Sequence, residues 1–177
     1  MINLIVCRDN NNGIGKDNKL LYHISDDLKR FKELTTDKKI IMGRKTFESL
    51  GLKPLPNRIN YVLTTDVLRL SEKIYNKHAH PLDNIHLCHP NDEFFKLINK
   101  NEDIFIIGGQ SIYELFLPIA DKIYLTQVDD NSKEADTFFD FDKSKFELIN
   151  CESHHDDKNN IDYYFKDYVR IEKIERW

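Results

Sequence analysis

The chain has few cysteines, no concentration of one charge sign and no long apolar run, and each shortage closes off a class of protein. Three cysteines, Cys7, Cys88 and Cys151, stand far apart, in odd number and without CxxC spacing. That excludes a disulfide framework and fits reduced thiols in a cytoplasmic protein. His78-x-His80, Cys88-His89 and His154-His155 match no standard zinc spacing and fall in polar, loop-like stretches, so no metal site is expected. Lys and Arg number 26 against 30 Asp and Glu, a net charge of −4, with the basic residues scattered. A nucleic-acid partner is not expected. No apolar segment approaches membrane-span length, and the start from Met1 to Val6 lacks the basic residues and long apolar centre of a signal peptide. Internal repeats, linkers and low-complexity tracts are missing too. What remains is a chain of 177 residues, 40% hydrophobic and 32% charged, long enough to bury one core as a single domain, 1–177.

Apolar patterning then predicts the elements. Short strands are expected at 4–7, 39–42, 60–65, 85–88 and 122–128, and a central strand buried on both faces at 103–107. Helices are expected at 25–34, 43–50, 91–98 (capped by Asn91) and from Gly108 to before Pro118. Residues 66–84 read as one helical turn and a loop. Strands at 146–149 and 162–171 form a closing hairpin through a polar turn from His154 to Asn160. The fold class is therefore α/β. It comprises a central, mostly parallel, twisted sheet of about eight strands with an antiparallel C-terminal edge hairpin, flanked by about four helices.

One residue breaks its helix pattern. In Ser25 to Leu34, the residues Leu28, Phe31 and Leu34 make an apolar sector, and Asp26, Lys29, Arg30 and Glu33 make a polar one. Asp27 falls in the apolar sector. A carboxylate turned toward apolar neighbours loses hydration and takes up a proton more readily, which suits proton chemistry or an amidine-like ligand. The plainer reading is a first-turn acid favoured by the helix dipole, with Ser25 as N-cap. Asp26 takes that plainer reading, and for Asp27 both stay open at this point.

Two strand-to-helix junctions are marked by glycine, one at Gly43-Arg44-Lys45-Thr46 and one at Gly108-Gly109-Gln110-Ser111. Glycine lets backbone approach a ligand closely, and a helix start offers N–H donors to phosphate. Two such junctions suit the two phosphates of a dinucleotide, with Thr64 and Thr65 at a third strand end. Neither junction is a Rossmann fingerprint or a P-loop, and each taken alone reads first as a tight turn.

Taken together, these segments resemble dihydrofolate reductase. The resemblance rests on Gly15-x-x-Asn18, Asp27-Leu28-x-x-Phe31, Ile41-Met42-Gly43-Arg44-x-Thr46-Phe47-Glu48-Ser49, Pro54-Leu55-Pro56-x-Arg58, Ile106-Ile107-Gly108-Gly109, Tyr113 and Tyr124-Leu125-Thr126. It spans nearly the whole chain in family order. It implies reduction of 7,8-dihydrofolate to tetrahydrofolate with NADPH, in support of one-carbon metabolism and thymidylate synthesis. It also implies binding of antifolates of the trimethoprim or methotrexate type, and a monomer. Asp27 would hold the pterin ring and promote protonation of its N5, fixed by Thr126. Ile5, Val6, Cys7, Leu28, Phe31, Leu50, Leu55, Ile107 and Tyr113 would wall the substrate pocket. Arg58 would pair with the substrate's glutamate carboxylate, with Lys53 nearby. Contacts to NADPH would come from Cys7, Ile14, Gly15, Asn18, Gly43, Arg44, Lys45, Thr46, Leu63, Thr64, Thr65, Ile107, Gly108, Gly109, Gln110, Ser111, Ile112 and Tyr113. Residues 10–22 resemble a mobile loop over the nicotinamide, and Asp136 resembles its acidic partner.

The sequence departs from the family at several places. Leu21-Tyr22 stands where Pro-Trp is frequent, and Tyr22 is expected to keep an aromatic body and a hydroxyl that orders water in the catalytic site. Ser111 replaces a frequent basic residue and Asp66 adjoins the expected 2′-phosphate site, which weakens support for that phosphate. Ala135 stands where Gly is common. A pyrimidine reductase of riboflavin synthesis would share the fold but lack the Asp27 helix and Arg58. A catalytically silent pterin-binding module would have lost Asp27.

Overall fold

The structure is a computed structural model and describes residues 1–98 and 102–172. In chain order its elements begin with β1 (Ile2–Arg8), β2 (Gly13–Lys16), β3 (Lys19–Leu20), α1 (Ser25–Thr35), β4 (Lys39–Gly43) and α2 (Arg44–Ser49). Then come β5 (Ile59–Leu63), α3 (Val67–His78), β6 (Ile85–Cys88), α4 (Asp92–Ile98) and β7 (Ile104–Ile106). The chain closes with α5 (Gln110–Phe116), β8 (Lys122–Val128), β9 (Thr137–Phe138), β10 (Phe146–Asp156) and β11 (Ile161–Arg170).

One eight-stranded sheet runs in the order β10-β11-β8-β1-β7-β4-β5-β6. The strands from β8 to β6 are mutually parallel. Antiparallel β11 joins β8, and β10 closes the edge. Near-continuous apolar strands demand cover on both faces, and Leu4, Ile40, Ile41, Met42, Val62 and Ile106 are accordingly sealed from solvent. Among the described residues no helix is long and apolar enough to cross a membrane.

Four expectations change. Residues 66–84 hold a full helix, α3, capped by the Asp66 carboxylate accepting from the Arg69 N–H at 3.0 Å and ended by Ala79 at φ 57°. Its pattern was obscured because Leu68 and Tyr75 lie exposed, while Leu70 and Ile74 carry the buried face. Among the described residues there are thus five α-helices rather than about four. The segment expected as a loop before α1 pairs into a three-stranded sheet, β3-β2-β9. The closing hairpin is longer than its apolar residues suggested. β10 runs through His154 and His155, bulged near Leu148 and Asn150, and the turn shrinks to 157–160. A polar sequence makes a strand there because β10 is an edge with mostly exposed side chains. His154 therefore stacks on Tyr163, with ring centroids 5.3 Å apart, instead of sitting in a loop. Finally, α1 is capped by Ile24, not Ser25, with no side-chain capping bond, whereas Asn91 does cap α4 by accepting from the Phe94 N–H at 3.0 Å.

Candidate active site

The site is built where the central parallel strands end. The Gly43 N–H donates to the Gly108 carbonyl at 2.8 Å, so the two glycine junctions form one continuous rim across β4 and β7. Neither glycine has room for a side chain. A Cβ on Gly43 would meet Ile112 Cγ1 at 2.9 Å, and one on Gly108, held at φ +110°, would meet the Tyr113 ring at 3.2 Å. The Gly108-Gly109 peptide is cis. Tyr113 is fixed in turn, because its hydroxyl donates to the Ile5 carbonyl at 2.7 Å.

A cleft of about 670 Å³ opens over this rim. Every residue expected to touch the cofactor lines it: Cys7, Ile14, Gly15, Asn18, the Gly43–Thr46 turn, Leu63, Thr64, Thr65, Ile107 and 108–113. Lys19, Leu20, Ser49, Pro90 and Thr137 also line it without having been foreseen, since no local pattern distinguishes them. The residues present fit a dinucleotide phosphate chain. Helices α2 and α5 both start from glycines that offer no capping side chain, which leaves their first N–H groups free for phosphate. Arg44 is steadied by Glu48 at 2.9 Å, and Lys73 shares that carboxylate at 2.8 Å. The Asp66 carboxylate caps α3 and its side chain is not part of the cleft lining.

Beside the cleft stands Asp27. Thr126, buried on β8, donates its hydroxyl to Asp27 Oδ1 at 2.5 Å. Burial pushes the Asp27 carboxyl above the ordinary aspartate range, and the Thr126 bond and the Arg30 charge pull it only part of the way back. The remainder of the apolar sector of α1 is divided. Leu28 is exposed and Phe31 half-buried, while Leu34 packs on a core cluster at the far end of the helix. Ile5, Leu50, Leu55 and Ile107 are half-buried and pack on one hydrophobic cluster, while Val6, Ile107 and Tyr113 also reach the cleft.

Arg58 is buried, and among the described residues no carboxylate pairs with it. Its Nε donates to the Pro56 carbonyl and its Nη1 to Thr35 Oγ1, both at 2.9 Å, and the guanidinium lies 5.9 Å from the Phe31 ring centroid. Burial lowers its proton affinity. A half-bonded buried cation of this kind is prepared for an incoming carboxylate.

The loop before α1 is tied to the segment before β9. Asp136 Oδ2 accepts from the Asp17 N–H at 2.8 Å, and the Asp136 N–H donates to the Gly15 carbonyl at 3.0 Å. Tyr22 departs from expectation. It is buried away from the cleft lining, and its hydroxyl is committed to Asp130 Oδ2, to which it donates at 2.9 Å. Lys133 lies over its ring at 4.3 Å and donates to the Leu21 carbonyl at 2.6 Å. Among the described residues no group of His, Cys, Asp and Glu is placed to hold a metal ion.

Comparison with known proteins agrees in extent and in shape. A family model described as dihydrofolate reductase matches residues 1–170. Dihydrofolate reductase of Staphylococcus haemolyticus is 39% identical over 173 residues, covering 96% of each chain. That of Bacillus subtilis is 37% identical over 173 residues, covering 96% of this chain and 95% of the relative. Dihydrofolate reductase from Enterococcus faecalis, solved with NADP(H) and RAB-propyl, superposes with a TM-score of 0.81 at 30% identity, covering 97% of both chains.

Proposed function

The chain belongs to the dihydrofolate reductase family, and on that premise we propose how its own residues divide the work. The reaction reduces 7,8-dihydrofolate to tetrahydrofolate with NADPH. NADPH, when bound, supplies the hydride that C6 of the pterin receives. The glycine rim with Arg44, Lys45, Thr46, Thr64 and Thr65 holds the phosphates, and Ile14, Gly15 and Cys7 border the nicotinamide end. Asp27 takes the 2-amino group and the adjacent ring nitrogen of the pterin, which orients the ring between Leu28, Phe31 and Leu50. Its raised proton affinity lets it pass a proton, through water, toward N5 while Thr126 fixes the carboxylate. Arg58 receives the glutamate carboxylate of the substrate. Tyr22 serves as a positioning residue for the loop, and residues 1–177 act as one monomeric domain in the cytoplasm.

The observation that carries this reading is the Thr126–Asp27 bond at 2.5 Å, a fixed carboxylate on a helix face where Leu28 stays exposed and Phe31 half-buried. The test is Asp27→Asn, assayed by NADPH consumption with dihydrofolate. Turnover at neutral pH is expected to fall by about 10²- to 10⁴-fold. Near-normal turnover would refute the role given to Asp27.

A further inference from the structure

Arg30 was assigned by helical periodicity to the solvent face of α1, one turn beyond Asp27, yet its side chain is only 17% exposed. It forms an ion pair with Asp167 of β11, whose side chain is equally covered. Its guanidinium lies 4.5 Å from the Phe165 ring centroid and 5.6 Å from that of Tyr124. These partners are not incidental to the site. Phe165 is the cross-strand neighbour of Thr126, and Asp167 is that of Tyr124. The strands that present Thr126 to Asp27 therefore also grip Arg30, and two residues of one helix are fixed against the same pair of strands.

The charges around Asp27 can be taken element by element. From α1 come Arg30 and Asp26, and the Asp26 carboxylate accepts from the Tyr163 hydroxyl at 2.9 Å. From β8 comes the neutral Thr126. From β1, α5 and β11 come Cys7, Tyr113 and Tyr163, all pushed upward by burial and hence uncharged near neutrality. Asp167 on β11 faces Arg30, and Asn150 of β10 donates to both Asp167 and Glu152, at 3.4 Å and 2.8 Å. Glu152 also feels the Arg30 charge. Arg30 is the cation whose charge the Asp27 carboxyl feels, and Asp167 is its ion-pair partner.

We propose that Arg30 and Asp167 are positioning residues of the reductase, an ion pair that docks α1 on β8 and β11 and sets the charge presented beside Asp27. The proposal rests on the role given to Asp27, but its test does not require turnover. The two members of the pair must act on Asp27 with opposite sign. Removing the cation raises the proton affinity of the carboxylate, and removing the anion lets the cation act unopposed and lowers it. A merely structural ion pair would give both variants the same phenotype.

The experiment follows the Asp27 carboxyl carbon resonance with pH in the free protein, assigned by its loss in Asp27→Asn. The alkaline fall of the hydride-transfer rate is measured alongside. Arg30→Met, which keeps the stem on Phe165 and Tyr124, is expected to move the titration up by about half a unit to one unit. Asp167→Asn is expected to move it down, and Arg30→Lys to stay near the parent. Shifts in the same direction, or no shift in either variant, overturn the proposal. If Arg30→Met does not fold, Asp167→Asn decides alone, a downward shift supporting the proposal and any other result refuting it. A normal opposite-sign response in a protein whose Asp27→Asn variant remains active would spare this coupling and refute the catalytic role.

Discussion

Replacing Thr126 by Val removes one hydroxyl and almost no volume, so its consequences can be worked from a single bond. That bond runs from a buried hydroxyl to Asp27 Oδ1 at 2.5 Å. A hydrogen bond to a charged group contributes about 1.5–3 kcal/mol, and one pKa unit corresponds to about 1.4 kcal/mol. Thr126→Val should therefore raise the proton affinity of Asp27 by about one to two units. The hydride-transfer rate, which needs the protonated site, should keep its plateau to a pH higher by that amount. Its plateau value should fall, because the carboxylate is no longer held in place.

Stability gives a second, independent reading, and its sign follows from burial. Asp27 binds its proton more tightly folded than unfolded. Its contribution is thus fully present below the unfolded aspartate value and is lost as pH rises through the raised folded value. The valine variant moves that folded value higher still. At about pH 8 the variant should be less stable than the parent by the full bond, about 1.5–3 kcal/mol. The gap should narrow as pH falls through the raised folded value, because a protonated carboxyl makes a weaker demand on its partner. Urea unfolding of both proteins across this range measures the gap. A gap constant with pH, together with an unmoved rate profile, would refute the idea that Thr126 tunes Asp27.

Three further outcomes are expected. Arg58→Gln should raise KM for dihydrofolate by about tenfold to a hundredfold with kcat little changed, since one charge-assisted bond is lost; steady-state kinetics measures this. Gly108→Ala must hold an L side chain at φ +110° against the Tyr113 ring, so it should lose about 1–3 kcal/mol of stability and bind NADPH more weakly, read by denaturation and by cofactor fluorescence. Tyr22→Phe deletes the bond to Asp130 and should speed amide hydrogen exchange across residues 9–22 while leaving the melting of the remaining sheet close to the parent's.

Apolar runs made the central sheet legible, because β4, β5 and β7 are buried on both faces and a run of Ile, Met and Val admits little else. The glycine junctions were legible because the glycines themselves mark them, and Gly108 at φ +110° is where the backbone requires one. Helix α3 was hidden because two of its five apolar residues, Leu68 and Tyr75, face solvent, and β10 because an edge strand needs no apolar face. The partner of Tyr22 was unreadable in principle, because Asp130 is 108 positions away and only the tertiary fold brings it to the phenol. Arg30 failed for the opposite reason to Asp27. Periodicity assigns one solvent face to a helix, and it cannot register that β11 covers part of that face with an acid of its own.

These long-range polar contacts explain how α1 can serve the site. Of its residues only Thr35 is buried, and the apolar Leu28 stays exposed. Apolar burial is confined to its C-terminal half, where Leu34 packs on a core cluster. Three polar side chains dock the N-terminal half. Asp26 accepts from Tyr163, Asp27 accepts from Thr126 and Arg30 pairs with Asp167, all on β8 and β11. Thr35 adds a bond from Arg58 at the far end. A helix held there by its polar residues keeps its nearby apolar ones for a ligand, and a flat pterin ring can bury Leu28 and Phe31 without displacing anything the fold requires. Each buried methylene contributes about 0.8 kcal/mol, so ligand occupancy should stabilise α1 more than any other helix. Hydrogen exchange in the presence and absence of a diaminopyrimidine antifolate tests this directly, and equal protection of α3 and α1 would contradict it.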